Sequence, residues 1–171
     1  MNGREATMVI LVAIGANLPG LRGEPPRATC EWAVEQLTRL PGLRLAAVSQ
    51  WYETAPEPPS DQPNYVNGAV RLEGKAEPEA LLAALHEIEA KAGRVRTVRN
   101  AARPLDLDLI AMDELVRDTP PILPHPRAHL RAFVLMPLRD VAPEWRDPVT
   151  GRTPGEMLTA LPGAEAGATT L

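Results

Sequence analysis

The chain has 171 residues, enough for one domain with a substantial core and short for two. With 18 basic against 22 acidic residues, a formal net charge of −4, it lacks the balance of a general nucleic-acid coat or of a protein drawn to anionic membranes. Its single cysteine, Cys30, excludes an internal disulfide framework and a cysteine-built zinc site, and no leader or spanning stretch is visible, so a soluble, cytoplasmic protein is expected.

Thr7 to Ile14 is a continuous β-branched and apolar run, the pattern of a central strand buried on both faces. It ends in Gly15-Ala16-Asn17-Leu18-Pro19-Gly20, which reads as a tight turn: it has neither the lysine and spacing of a P-loop nor the glycine triplet of a dinucleotide fingerprint. Pro25 to Leu40 follows as a helix, with prolines in its first turn, apolar Trp32, Val34, Leu37 and Leu40, and Pro41-Gly42 as its stop. Leu43 to Tyr52 and Tyr65 to Leu72 read as strands. In the second, Tyr65, Asn67, Ala69 and Arg71 share one side, while Val66, Val70 and Leu72 point to the core. Between the two strands, Glu53 to Pro63 carries four prolines that cannot join a ladder, so it forms a long protruding loop with the length of a functional lid.

Glu77 to Ala92 is the clearest helix, opened by Pro78, lined by Leu81, Leu82, Leu85 and Ile88, and closed by Gly93. Glu89, one turn from its end, reads by spacing as an exposed helix acid that stands near a run of arginines. That run is Arg94, Arg96, Arg99 and Arg103, with no acidic residue between Glu89 and Asp106. In an otherwise acidic chain, four clustered guanidinium groups suit the oxygens of a polyphosphate.

Arg103-Pro104-Leu105-Asp106-Leu107-Asp108-Leu109-Ile110 then alternates leucine and aspartate. Alternation is the period of a strand, so Asp106 and Asp108 share one face and the leucines the other. Two carboxylates rooted about 6.5 to 7 Å apart along a strand suit one divalent ion or a pair of them, and hard oxygen ligands favour magnesium. A half-solvated strand with an acidic outer face is the competing reading, and the neighbouring arginines speak against it. Asp113-Glu114 reads as a hairpin turn into Leu115-Val116, and Pro120 to Pro126 as a crossing segment that frames His125 between two prolines. Arg131 to Leu138 is a further apolar element holding Phe133, the only phenylalanine, and the polar tail has one short helix around Pro154 to Leu161. The order β, α, β, β, α, β predicts an α+β fold, a ferredoxin-like βαββαβ sandwich with additional C-terminal elements, spanning residues 1–171 as one domain with helices over one face.

Taken together, several of these segments resemble the 6-hydroxymethyl-7,8-dihydropterin pyrophosphokinases of folate synthesis. The resemblance is carried by Ile14-Gly15-Ala16-Asn17-Leu18, Tyr52-Glu53-Thr54-Ala55-Pro56, Asp61-Gln62-Pro63-Asn64-Tyr65-Val66-Asn67 and Gly93-Arg94-Val95-Arg96. It continues through Arg103-Pro104-Leu105-Asp106-Leu107-Asp108, Leu123-Pro124-His125-Pro126-Arg127 and Arg131-Ala132-Phe133-Val134-Leu135, and so covers roughly residues 8 to 145. It implies transfer of the β,γ-diphosphate of ATP to the hydroxymethyl group of the reduced pterin, leaving AMP, with two magnesium ions.

The same resemblance implies a set of roles. Asp106 and Asp108 would hold the metals, with Asp108, Arg94 and Arg103 catalytic. Arg94, Arg96, Arg99, Arg103, Leu109, His125 and Arg131 would meet ATP. Tyr65 and Phe133 would sandwich the pterin, with Asn67 on its edge and the backbone at Thr54 and Ala55 beside it. A monomer is expected, with ATP and the pterin as its partners and neither nucleic acid nor membrane. The chain departs from the family in carrying Asn100-Ala101-Ala102 where Trp-Gly-Pro is common, and Pro58 where glycine is common in the proline-rich loop. A two-metal nucleotidyl transferase is the rival enzyme class, since paired aspartates on such a sheet also suit polymerase-type chemistry. An RNA-recognition module on the same sheet would need clustered aromatics and a basic face, which this chain lacks.

Overall fold

The computed structural model describes residues 7–56, 59–93 and 104–162, and the backbone of 168–170. Its centre is an antiparallel sheet of β1 (Met8–Ala16), β2 (Leu43–Val48), β3 (Tyr52–Thr54), β4 (Tyr65–Gly74), β5 (Asp106–Met112) and β6 (Ala168–Thr170). The strand order is β5-β1-β4-β3-β6, with β2 also paired to β4. Helices α1 (Pro26–Thr38) and α2 (Pro78–Lys91) are the crossovers of the βαββαβ core, and α3 (Ala132–Val141) and α4 (Pro154–Thr159) follow it. This is the expected ferredoxin-like arrangement.

β1 is buried on both faces, as its unbroken apolar run requires, with Ile10 to Ile14 between 0 and 8 % exposed. Ile10, Val12 and Ile14 pack with Leu37 of α1, Leu85 and Ile88 of α2, and Leu105, Leu107 and Leu109. Leu11 and Ala13 pack on the opposite face with Ala69, Ile110 and Leu135 and Leu138 of α3. Helices therefore cover both faces, where the sequence pattern led to only one. The difference lies in Arg131 to Leu138: an apolar stretch without a clear period, it folds as α3 and supplies the second layer.

Three further expectations are corrected. Leu43 to Tyr52 is not one strand, because the register along β4 shifts between Leu45 and Ala47 and the chain then leaves the ladder at Ser49. There Ser49 N still donates to Ala69 O at 2.9 Å, but Ala69 N donates to the Ser49 hydroxyl at 2.8 Å, and that hydroxyl donates to the Gln50 carbonyl at 2.7 Å, so a side chain takes over half of the backbone pair. The segment then turns Trp51 and Tyr52 into opposite core layers. Asp113 and Glu114 do form a turn, with Asp113 at φ 50, but Leu115 and Val116 do not return as a strand. The turn is held by the Asp113 carboxylate, which accepts from Val9 N at 2.6 Å, and only an isolated bridge between Arg117 and Leu123 follows. Finally, part of the polar tail is ordered as β6, which pairs with β3. Among the described residues no helix is long and apolar enough to cross a membrane.

Candidate active site

In an antiparallel ladder, residues directly opposite one another project from the same face. Gly15 of β1 lies opposite Asp106 on one side and Asn67 on the other, and Asn67 lies opposite Tyr52. One row across four strands thus reads Asp106, Gly15, Asn67, Tyr52. The next row reads Asp108, Ala13, Ala69. At a strand spacing of about 4.8 Å, the roots of Asp106 and Asn67 are roughly 10 Å apart. Gly15 is the low floor between them: a Cβ there would come within 3.0 Å of Asn67 Oδ1.

The leucines set this orientation. Leu105, Leu107 and Leu109 are 0, 4 and 5 % exposed on the far face, each contributing about 1.5–3 kcal/mol by burial. A slip of one residue would expose all three and drive both carboxylates into the apolar core, so the aspartates are held on the site face by residues that never touch it. Asp106 and Asp108 are half-buried there. Leu109 has its side chain committed to the core, so only its backbone is free to meet a ligand. Between the two aspartates, Leu107 N donates to Glu89 Oε2 at 2.9 Å. Glu89 is fully buried, not the exposed helix acid its spacing suggested.

Asn67 is 7 % exposed and donates from Nδ2 to Thr54 Oγ1 at 2.6 Å, so the two strands fix each other's polar side chains. Tyr65 shares its face by alternation, Thr54 lies opposite Tyr65, and Ala55 is exposed where the proline-rich loop begins. That loop is tethered to the end of β1, for Asn17 Nδ2 donates to Gln62 Oε1 at 3.1 Å while Asn17 itself is 1 % exposed. At the end of the row the Tyr52 hydroxyl donates to Asp140 Oδ2 at 2.7 Å, and burial, reinforced by that carboxylate, pushes the phenol up to about 12. Asp140 also accepts from Gln50 N at 3.2 Å, pinning α3 to the sheet.

The start of α3 forms the wall above this face. The guanidinium of Arg131 lies 5.6 Å from the centroid of the half-buried Phe133 ring, which packs on the same core layer as Tyr52 and Ile110. His125 is held at the β5 end: its N–H donates to Ile110 O at 2.8 Å and its Nδ1 accepts from Arg127 N at 3.2 Å. Burial lowers its pKa, Arg131 and Arg127 lower it further, and Asp106 opposes them, so the imidazole sits within the field of an acid and two arginines.

Of the residues singled out from sequence, Asp106, Asp108, Thr54, Tyr65, Asn67, His125, Arg131 and Phe133 gather on or around one face of the sheet. Arg94, Arg96, Arg99 and Arg103 lie outside the described residues, as do Pro58 and Asn100 to Ala102. The arginine segment is rooted at Gly93, whose φ of 101 favours glycine. Sequence reasoning gave no role to Gly15, to the Asn17–Gln62 tether or to the Tyr52–Asp140 pair. These are cross-strand or long-range relations, and only the register brings them together. A cavity of about 320 Å³ lined by Leu21, Arg22, Thr29 and Trp32 lies away from this face, against α1 and the end of α2.

Residues 11–143 match the family model of 7,8-dihydro-6-hydroxymethylpterin-pyrophosphokinase. A 2-amino-4-hydroxy-6-hydroxymethyldihydropteridine pyrophosphokinase of Pseudomonas aeruginosa is 43% identical over 154 residues, covering 90% of this chain and 91% of the relative. The enzyme of the same name from Synechocystis is 36% identical over 144 residues, covering 84% and 71%. Among solved structures, a wild-type HPPK-DHPS chain of Plasmodium falciparum crystallised with pteroate superposes with a TM-score of 0.65 at 12% identity. That superposition covers 89% of this chain but only 42% of the Plasmodium chain, and it speaks to the fold.

Proposed function

This chain belongs to the 7,8-dihydro-6-hydroxymethylpterin-pyrophosphokinase family, and from that premise we propose how its own residues carry the transfer of diphosphate from ATP to 6-hydroxymethyl-7,8-dihydropterin. The observation that carries the proposal is the row Asp106, Gly15, Asn67, Tyr52, which sets an acidic end and a hydrogen-bonding end on one floor. A flat bicyclic ring fits over Gly15 because nothing projects there. Tyr65 and Phe133 are the rings on this side of the sheet available to stack on it, and Asn67 and the backbone at Thr54 and Ala55 offer hydrogen bonds to its edge. The hydroxymethyl group then points toward Asp106 and Asp108.

Two aspartates suit divalent ions that arrive with the nucleotide. Among the described residues no group of three or more potential protein ligands is assembled, so phosphate oxygens and water would complete the shell, the habit of magnesium at polyphosphates. When bound there by Asp106 and Asp108, a magnesium pair would neutralise the phosphates and acidify the attacking hydroxyl. Arg131 and the neutral His125 stand where the triphosphate would lie along β5, and the residues from Arg94 to Arg103 supply further guanidinium groups for it. Attack of the hydroxyl oxygen on the β-phosphorus, in line with departure of AMP, needs positioning and charge neutralisation more than covalent help. Asp108 or a water takes the hydroxyl proton. The proline-rich loop, tethered through Asn17 and Gln62, would close over the pterin and exclude water.

We further read residues 1–171 as a single pyrophosphokinase domain working as a monomer in the cytoplasm, a setting that suits the lone, buried Cys30. The test is to incubate the protein with ATP, magnesium and 6-hydroxymethyl-7,8-dihydropterin and identify both products. AMP with the pterin diphosphate is expected. Inorganic pyrophosphate as the released product would support a nucleotidyl transferase instead.

A further inference from the structure

β5 is the edge strand of the sheet, so every second backbone N–H along it turns away from β1 and needs another partner. At Leu107, which separates the two aspartates, that partner is the carboxylate of Glu89, 2.9 Å away and with no solvent exposure. A buried carboxyl group is an expensive way to occupy a helix position whose neighbours Leu85 and Ile88 belong to the apolar core. Glu89 supplies the acceptor that this edge amide needs, in a dry setting where a buried N–H left without one is costly. Glu89 also stands on the last turn of α2, just ahead of Gly93, where the arginine segment begins.

We propose that Glu89 is a positioning residue: from α2 it fixes the Leu107 amide and so sets the directions of Asp106 and Asp108. Glu89 touches neither substrate in this scheme. It acts through the backbone of β5, and an error there is passed to two carboxylates at once. The inference rests on the metal role given to those aspartates.

Two substitutions separate reach from charge. Glu89→Gln keeps an acceptor at the same distance without the charge, whereas Glu89→Asp keeps the charge but is one methylene too short for Leu107. The readouts are hydrogen exchange of the Leu107 amide and binding of Mg2+ together with α,β-methylene-ATP by calorimetry, followed by the Mg2+ dependence of AMP formation. Glu89→Gln should keep the amide protected and the Mg2+ half-saturation within about twofold of wild type. Glu89→Asp should lose protection and raise that half-saturation about tenfold, with the KM for the pterin unchanged. A purely structural role would lower the melting temperature of both variants and leave the Mg2+ dependence where it was, which would overturn the proposal. So would a Glu89→Gln variant as impaired as Glu89→Asp, or a wild-type Leu107 amide that exchanges as freely as one on an open edge. The metal role itself fails separately, if Asp106→Asn and Asp108→Asn leave Mg2+ binding intact.

Discussion

Replacing Gly15 by alanine should weaken pterin binding and leave the metal end of the site untouched. Gly15 sits in ordinary strand backbone, so the substitution brings no conformational penalty, and removing a strand glycine is worth about 0.5–1 kcal/mol in its favour. The new methyl would lie 3.0 Å from Asn67 Oδ1, close enough that the carboxamide must retreat by a few tenths of an ångström. Asn67 has little freedom to do so, because its Nδ2 is already 2.6 Å from Thr54 Oγ1. One distorted hydrogen bond to the ligand costs about 0.5–1.5 kcal/mol, or roughly a 2- to 12-fold rise in the KM for the pterin. Val66 O, at 3.8 Å, is the other atom near the methyl, and no atom of Asp106 comes within 4 Å. Steady-state AMP release, titrated in turn with pterin, ATP and Mg2+, is the assay, with a thermal melt to confirm a near-unchanged fold. An unchanged pterin KM together with a shifted Mg2+ dependence would refute the placement of the two ends.

Asp106→Asn and Asp108→Asn should each lower AMP formation by about 10²-fold or more, since metal charge stabilisation is worth several kcal/mol, while the fold melts no earlier than wild type; turnover close to normal in either variant sinks the metal assignment. Burial pushes the Cys30 thiol up to about 12, so it should resist thiol reagents at pH 8 until the protein unfolds, and fast labelling of the native protein would contradict its place under β4. The folded His125 imidazole is held below its ordinary value of 6.5, so over the window beneath 6.5 the unfolded chain binds the proton more readily. Stability should therefore decline as pH falls through that window, and the decline should be shallower in His125→Asn; parallel urea-unfolding curves from pH 7.5 to 5 would refute it.

Those effects trace back to features with very different visibility in the sequence. The face of Asp106 and Asp108 was legible because strand alternation is a local rule and three leucines enforce it. Helix α2 was legible for a similar reason, since Leu81, Leu85 and Ile88 recur at helical spacing between Pro78 and Gly93. Glu89 was misread because burial depends on which strand its helix crosses, and spacing within one helix carries no information about an edge amide on β5. The break at Ser49 escaped notice because its hydroxyl competes with a backbone partner supplied by β4, twenty residues later. The second helical layer was hidden for lack of a period: Ala132 to Val141 buries Val134 to Leu138 consecutively, including Pro137, so no polar face marks it as a helix.

The register also predicts that the two halves of the proposed site can be altered independently. The acidic end belongs to β5, an edge strand fixed from one side by β1 and from the other by Glu89. The end proposed for the pterin belongs to β4 and β3, tied together by Asn67 and Thr54 and braced against α3 through Tyr52 and Asp140. Only β1 runs between them, and at the row they share it contributes a glycine with no side chain to transmit a shift. A change on either side therefore reaches the other through substrate bridging the floor. Glu89→Asp should alter metal binding without altering the pterin KM, and Gly15→Ala should do the reverse. Combining Glu89→Asp with Gly15→Ala should give losses that multiply, the behaviour of sites without a shared side chain, and a double variant no worse than the poorer single one would place a direct coupling through β1.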